Sequence, residues 1–328
     1  MLYEIYKKDI PNFLDYLISK NLEVIAPVNE GVVRFEKIRS GKDVTLDYIN
    51  TAESPKEYFL PDGDNLFIFD KKRLEYESLK PIEKTRVIFG MRPCDANALN
   101  ILDRVLLEKP IDNNYAERRK KTIIIAIECK RTGDNCFCYV FGTDTVKEGV
   151  DLVFKPYGKK YIVEVLSKKG EKLLDKTFFK KSKLKSYKVK RRFKKKIDLK
   201  GIKSKLPELY NSDKWKPIAE KCIACAACTG VCPTCYCFEH KDYEHSNSII
   251  RKRYWSSCLL ASFSRVAGNH VIRKSMESRV KQFVYHKLFY FEKRYGVDLC
   301  VGCGRCISSC PVDIDFFEFI DKLAVKKR

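Results

Sequence analysis

The chain has 328 residues, enough for two domains that each bury a core; 65 Lys plus Arg stand against 43 Asp plus Glu, a formal charge of +22, and there are 15 cysteines. No apolar run nears the roughly 18 residues of a membrane span, and the Met1-Leu2-Tyr3-Glu4 start shows no charged segment leading into an apolar one. A cytoplasmic protein is expected, and in a reducing cytosol so many thiols read as metal ligands rather than disulfides.

In chain order, residues 1–178 read as an α/β domain. A helix from Pro11 to Lys20, with Phe13, Leu14, Leu17 and Ile18 on one face, precedes strand-like runs at Val24–Val28, Val32–Ile38 and Leu66–Phe69. Two strand-loop units follow. Val87–Gly90 leads into Arg92-Pro93-Cys94-Asp95 and a helix to about Leu107, and Thr122–Ile127 leads into Glu128-Cys129 and a Gly/Asn/Cys-rich loop. Leu152–Tyr157 and Tyr161–Leu166 read as a hairpin.

Residues 179–212 are expected to form a basic linker with one helix. Within it, fourteen of the 26 residues 180–205 are Lys or Arg and one, Asp198, is acidic, so this stretch carries +13 of the +22. Residues 213–328 read as helical. Ile272, Met276, Val280, Phe283, Val284, Leu288 and Phe291 recur at helical spacing, and Ile250–Val266 is a second helical candidate. The expected fold class is therefore α+β: an N-terminal α/β domain followed by an all-helical di-cluster ferredoxin domain.

The chemistry lies in one repeated motif. Cys222-x2-Cys225-x2-Cys228-x3-Cys232-Pro233 recurs as Cys300-x2-Cys303-x2-Cys306-x3-Cys310-Pro311, the bacterial ferredoxin spacing for 4Fe-4S clusters. Two-residue gaps let one tight turn present three thiolates to one cube, and the fourth, beyond the turn, is aimed at the neighbouring cube. Cluster one is expected on Cys222, Cys225, Cys228 and Cys310, and cluster two on Cys300, Cys303, Cys306 and Cys232. Zinc knots are the competing reading, but they show paired Cys-x2-Cys units rather than a triple run with a trailing Cys-Pro. The 67 residues between the motifs are too many for a compact β-rich ferredoxin.

Seven cysteines remain. Cys94, Cys129, Cys136 and Cys138 lie in loops that follow predicted strands, and loops at the carboxyl ends of parallel strands converge on one crevice. A third cluster or a zinc site is one expectation there. Another is that Cys94, activated by Arg92, handles sulfur or persulfide directly as a nucleophile. Cys235, Cys237 and Cys258 read as structural. Arg273, Arg279, Lys281 and Lys287 on the long helix are candidate cations for tuning a cluster's potential.

The chain resembles a known family. Gly90-Met91-Arg92-Pro93-Cys94-Asp95, Cys136-Phe137-Cys138, Cys228-Thr229-Gly230-Val231-Cys232-Pro233-Thr234-Cys235-Tyr236-Cys237-Phe238, Trp255-Ser256-Ser257-Cys258, Ala267-Gly268-Asn269-His270, His286-Lys287 and Cys300-Val301-Gly302-Cys303-Gly304-Arg305-Cys306 together resemble the β subunits of cytosolic sulfhydrogenases and the related iron–sulfur subunit of anaerobic sulfite reductase. The resemblance covers nearly the whole chain. It implies an electron-transfer subunit lying between a flavin-containing NAD(P)H-oxidising subunit and a catalytic hydrogenase or sirohaem sulfite reductase subunit, with ferredoxin as a further candidate partner. No Gly-x-Gly-x-x-Gly follows a strand and there is no Walker loop, so the residues themselves offer no dinucleotide fingerprint. The basic stretch invites a nucleic-acid reading, but no groove-reading motif accompanies it, and a solvated or partner-facing surface is the stronger expectation.

Overall fold

The computed structural model describes residues 2–324. In chain order, the strands of its two larger sheets are β1 (Leu2–Tyr6), β2 (Glu23–Asn29), β3 (Val33–Lys37), β4 (Asp64–Asp70), β5 (Glu75–Ser78), β6 (Arg86–Met91), β7 (Thr122–Ile127), β8 (Leu152–Tyr157), β9 (Lys160–Val165), β10 (Lys180–Lys181), β11 (Phe238–Glu244) and β12 (Ser248–Trp255). An eight-stranded mixed sheet runs β10-β1-β9-β8-β7-β6-β2-β3, and a four-stranded sheet runs β11-β12-β4-β5. The centre of the large sheet is parallel, β2 with β6, β6 with β7 and β7 with β8.

Helices cover both faces of that centre, which is why its strands are apolar throughout instead of alternating. Val87, Phe89, Ile123 and Ile125 face a core closed by Phe13 and Leu14 of the helix Ile10–Ser19 and by Phe179. Ile88, Ile124 and Ala126 face the opposite core, with Leu99 and Leu102 of the helix Pro93–Leu106 and Tyr115 of the helix Asn113–Lys121. The carboxyl ends of β6 and β7 thus lie side by side and deliver Cys94 and Cys129 to one end of the sheet.

The C-terminal half is not all-helical, which corrects the expected fold class. The segment expected to be a helix from Ile250 to Val266 holds β12 instead, which pairs with β11 in a hairpin and with β4 on its other side. Ile249, Ile250, Tyr254 and Trp255 are β-branched and aromatic strand formers. The deciding contact is remote in sequence: Arg253 lies opposite Asp64 of β4 and is ion-paired to it at 2.7 Å. Asp64 also takes a bidentate bond from Arg118, at 2.6 and 2.9 Å, with all three side chains buried. The hairpin between the two cysteine motifs therefore completes a sheet begun in the first 80 residues.

Helices do form the rest of the C-terminal core. The long helix starts at Met276, where Ser275 caps it by accepting from Ser278 N–H at 3.1 Å, and it continues through a π-helical turn, His286–Tyr290, to Tyr295. Val280, Phe283, Val284 and Leu288 meet Ile202 and Leu206 of the helix Leu199–Leu209 and Phe316, Phe317 and Ile320 of the helix Phe316–Ala324. Phe137, lying between two N-terminal cysteines, is buried in this same core with its ring 4.6 Å from Phe317.

The basic stretch is an extended strap laid against the body. From Tyr187 to Asp198 exposed residues alternate strictly with half-buried ones, the two-residue period of extended chain. Most of its lysines face out, while Arg191, Phe193 and Lys195 face in. Arg191 is 4% exposed, paired with Glu128 and, at 2.8 Å, with Asp144; Lys195 pairs with Asp315. Among the described residues no helix is long and apolar enough to cross a membrane.

Candidate metal centres

The two cysteine motifs adopt the same backbone path. Ala224 and Ala226 in the first, and Gly302 and Gly304 in the second, all have positive φ, between 56° and 78°. These positions correspond: one precedes the second cysteine and the other follows it. A left-handed alanine costs roughly 1–2 kcal/mol, so the first loop holds a strained turn that points its backbone inward. The second loop needs glycine for a further reason. A Cβ on Gly302 would lie 2.7 Å from the backbone of Phe137 and Cys138, and one on Gly304 would lie 2.2 Å from the Asn135 carbonyl. A short helical turn follows each loop, Ala227–Gly230 and Arg305–Ser308, and the two turns lie against each other.

This pairing brings the expected ligands near one another across the repeat. Cys306 is pushed well up by burial and then by the charges of Cys303, Cys232 and Cys300, so Cys232 of the first motif sits among the leading three thiols of the second. Cys228 is pushed up to about 12 by burial and then by Cys232, Cys222 and Cys225. Cys310 accepts from Ile314 N–H at 3.2 Å and lies in the apolar core that also holds Cys222, Cys228, Cys300 and Cys306. Among the described residues no three His, Cys, Asp or Glu side chains converge closely enough for a single metal ion.

Two buried lysines lie under the Cys232–Cys235 turn. Lys287 Nζ donates to Cys232 Sγ at 3.2 Å, to the Thr234 hydroxyl at 3.4 Å and to the Leu299 carbonyl at 3.2 Å. Lys56 Nζ donates to the carbonyls of Cys232 and Cys235, both at 2.9 Å, and lies over the Trp255 ring. Cys235 donates to Cys232, and that bond together with both lysines holds the Cys232 thiol well below its usual range. Cys258 likewise donates to Cys237, drawing it down to about 7. Of the four cations expected to tune a cluster, Lys287 reaches a cysteine sulfur. Arg279 instead donates to the carbonyls of Arg273 and Lys274 near the start of its helix, at 3.1 and 2.7 Å, and Lys281 donates to the Tyr210 carbonyl. Lys56 carries no sequence signal, because its partners lie more than 170 residues away.

Cys94, Cys129, Cys136 and Cys138 line one enclosed cavity, and Cys303 of the second motif forms part of its wall. The strand-loop units account for the first two. The loop carrying the other two is held by Phe137 N–H donating to the Gly302 carbonyl at 2.8 Å and by the Thr143 hydroxyl donating to the Val301 carbonyl at 2.7 Å. Burial raises all four thiols. Cys94 in particular is pushed well up by burial, with Asp95 and Cys303 adding to the effect, and Arg92 spends its guanidinium on the Tyr48 and Ile127 carbonyls. Burial and the neighbouring anion thus disfavour the free thiolate that a nucleophile needs.

One ion pair joins this region to the second motif. Arg305, between Cys303 and Cys306, makes a bidentate bond to Asp95, next to Cys94, at 2.7 and 2.9 Å, and also donates to Thr51. Both side chains are essentially inaccessible to solvent.

Residues 221–314 match the 4Fe-4S dicluster domain family. The chain is 32% identical over 333 residues to sulfhydrogenase 2 subunit beta of Pyrococcus furiosus, covering 98% of this chain and 97% of that protein. It is 25% identical over 138 residues to the F420-dependent formate dehydrogenase subunit beta of Methanocaldococcus jannaschii, covering 41% of this chain and 27% of that one. No solved structure matches.

Proposed function

We propose that this chain, which belongs to the sulfhydrogenase beta-subunit family and carries a 4Fe-4S dicluster domain, is the electron-transfer subunit of a multi-subunit oxidoreductase. The observation that carries the reading is the doubled cysteine loop with Cys232 of the first motif placed among Cys300, Cys303 and Cys306 of the second. Cluster one is assigned to Cys222, Cys225, Cys228 and Cys310, and cluster two to Cys300, Cys303, Cys306 and Cys232. Each cluster, when bound, takes up and releases one electron at a time. The chain's own residues then do three things. The left-handed turns at Ala224, Ala226, Gly302 and Gly304 shape the two loops, and Gly302 N–H donates to Cys300 Sγ at 3.4 Å; the apolar core around Phe283 and Phe317 buries Cys228 while Cys225 stays exposed; and Lys287 places a positive charge on a ligand sulfur.

On this reading a flavin-containing NAD(P)H-oxidising subunit, or ferredoxin, supplies electrons, and a catalytic subunit of the hydrogenase, sulfur reductase or sulfite reductase type consumes them. Recovery of the native chain from anaerobic extract tests the assignment. It is expected to carry a catalytic redox subunit with it, a hydrogenase pair marking one reaction and a sirohaem subunit the other. Recovery in stable form without any redox partner would contradict the proposal.

Lys287→Met is expected to lower the midpoint potential of the second cluster, because the lost cation and hydrogen bond favour the more negative, reduced state. A loss of roughly 1.4 kcal/mol of that preference corresponds to about 59 mV for one electron. A potentiometric titration with an unchanged midpoint would refute the role given to Lys287.

A further inference from the structure

We infer that Cys94, Cys129, Cys136 and Cys138 hold a third 4Fe-4S cluster, placed against the second cluster of the dicluster domain. Four thiols from three separate segments line one enclosed cavity. A packed apolar interior has no need of four sulfurs facing a common space. The Asn50 carboxamide lies between two of them, its Oδ1 3.9 Å from Cys94 Sγ and its Nδ2 3.9 Å from Cys136 Sγ, while the same Nδ2 donates to the Cys303 carbonyl at 2.8 Å. As at the two dicluster motifs, no three of these groups close on a single-ion site among the described residues.

Charge points to the same occupant. Arg92 is 4% exposed, its guanidinium donates only to backbone carbonyls in the contacts described above, and its Nε has no partner among the described residues. That guanidinium lies over the Tyr48 ring, 3.7 Å from its centroid, so a ring face offsets part of its desolvation but no anion among the described residues does. Its charge acts on Cys129, and a four-thiolate iron–sulfur cluster, which is anionic, would add a counter-charge beside it. The strap closes the site: Phe193 and Arg191 form part of the cavity wall, and Arg191 Nε donates to the Cys129 carbonyl at 3.1 Å.

The inference rests on the dicluster reading for its electron partner. One electron leaves the reduced second cluster, which returns to its oxidised state, and enters the third, which becomes reduced; no proton moves and no bond forms. The Cys303 wall shared with the cavity makes that the short route.

The test is metal and labile-sulfide content with electron paramagnetic resonance on the anaerobically purified full chain and on Cys129→Ala/Cys136→Ala. Wild type is expected to hold about twelve iron atoms and the double variant about eight, with the dicluster signals retained. About eight in wild type, with or without one zinc, overturns the inference. So does a count near twelve that the double variant leaves unchanged. The wild-type count decides even if the variant fails to fold. Failure of the dicluster reading is separately visible, as a Cys228→Ala chain that loses no iron.

Discussion

Cys228→Ala is expected to lose about four iron atoms per chain and to abolish electron flow through the assembled complex, while the partial reactions of each partner subunit persist. Cys228 is 7% exposed and sits on the helical turn that ends the first loop. The left-handed turns at Ala224 and Ala226 set the backbone path of Cys222 and Cys225, so neither is expected to take its place. The matched control is Cys258→Ala, an equally buried thiol that belongs to neither ligand set. It is expected to keep its full iron complement. Iron analysis with an assay of electron transfer from donor to catalytic subunit makes the comparison, and equal iron in the two variants would contradict the ligand assignment.

Asp95→Ala is expected to destabilise the chain by about 3–5 kcal/mol, the usual effect of stranding one partner of a buried ion pair. The Arg305 guanidinium would keep its bonds to Thr51 and lose both bonds to carboxylate in a site closed to water. Because Arg305 stands between two second-motif cysteines and Asp95 beside Cys94, the loss also loosens the helix Pro93–Leu106 from the cluster loop. Unfolding midpoints of the anaerobic protein measure the first effect, and iron content after mild heating measures the second. Asp95→Asn, which keeps a hydrogen-bonding shape without the charge, should fall between wild type and alanine. A midpoint for Asp95→Ala equal to wild type would show that the pair is not the clamp described.

What the sequence made legible is what depends on near neighbours along the chain. The cysteine loops are local, since two-residue gaps dictate a turn whatever surrounds it. The helix from Met276 to Tyr295 announces itself by its apolar period, and the central strands by their unbroken apolar runs. Even the convergence of Cys94 and Cys129 follows from a topological rule about adjacent parallel strands.

What escaped is held by partners far apart. Arg253 becomes a strand residue because of Asp64, 189 positions earlier, and the pattern of Ile250–Val266 itself contains no trace of that. Lys56, Asn50 and the Arg305–Asp95 pair are invisible for the same reason. The strap is a different case. Its two-residue alternation is present in the sequence, with Tyr187, Val189, Arg191 and Phe193 spaced by outward-facing side chains, but the density of lysine masked it, and Arg191 and Lys195 use charge where a strand would normally place apolar side chains.

The relay itself is tested most directly by a reductive titration of the anaerobically purified chain followed by electron paramagnetic resonance. The account predicts at least two centres per chain, each reduced by one electron, with spectra that broaden when neighbouring clusters are both reduced, and with one of them absent in Cys228→Ala. A chain that takes up no electrons, or one whose thiols hold zinc in place of iron, would contradict it.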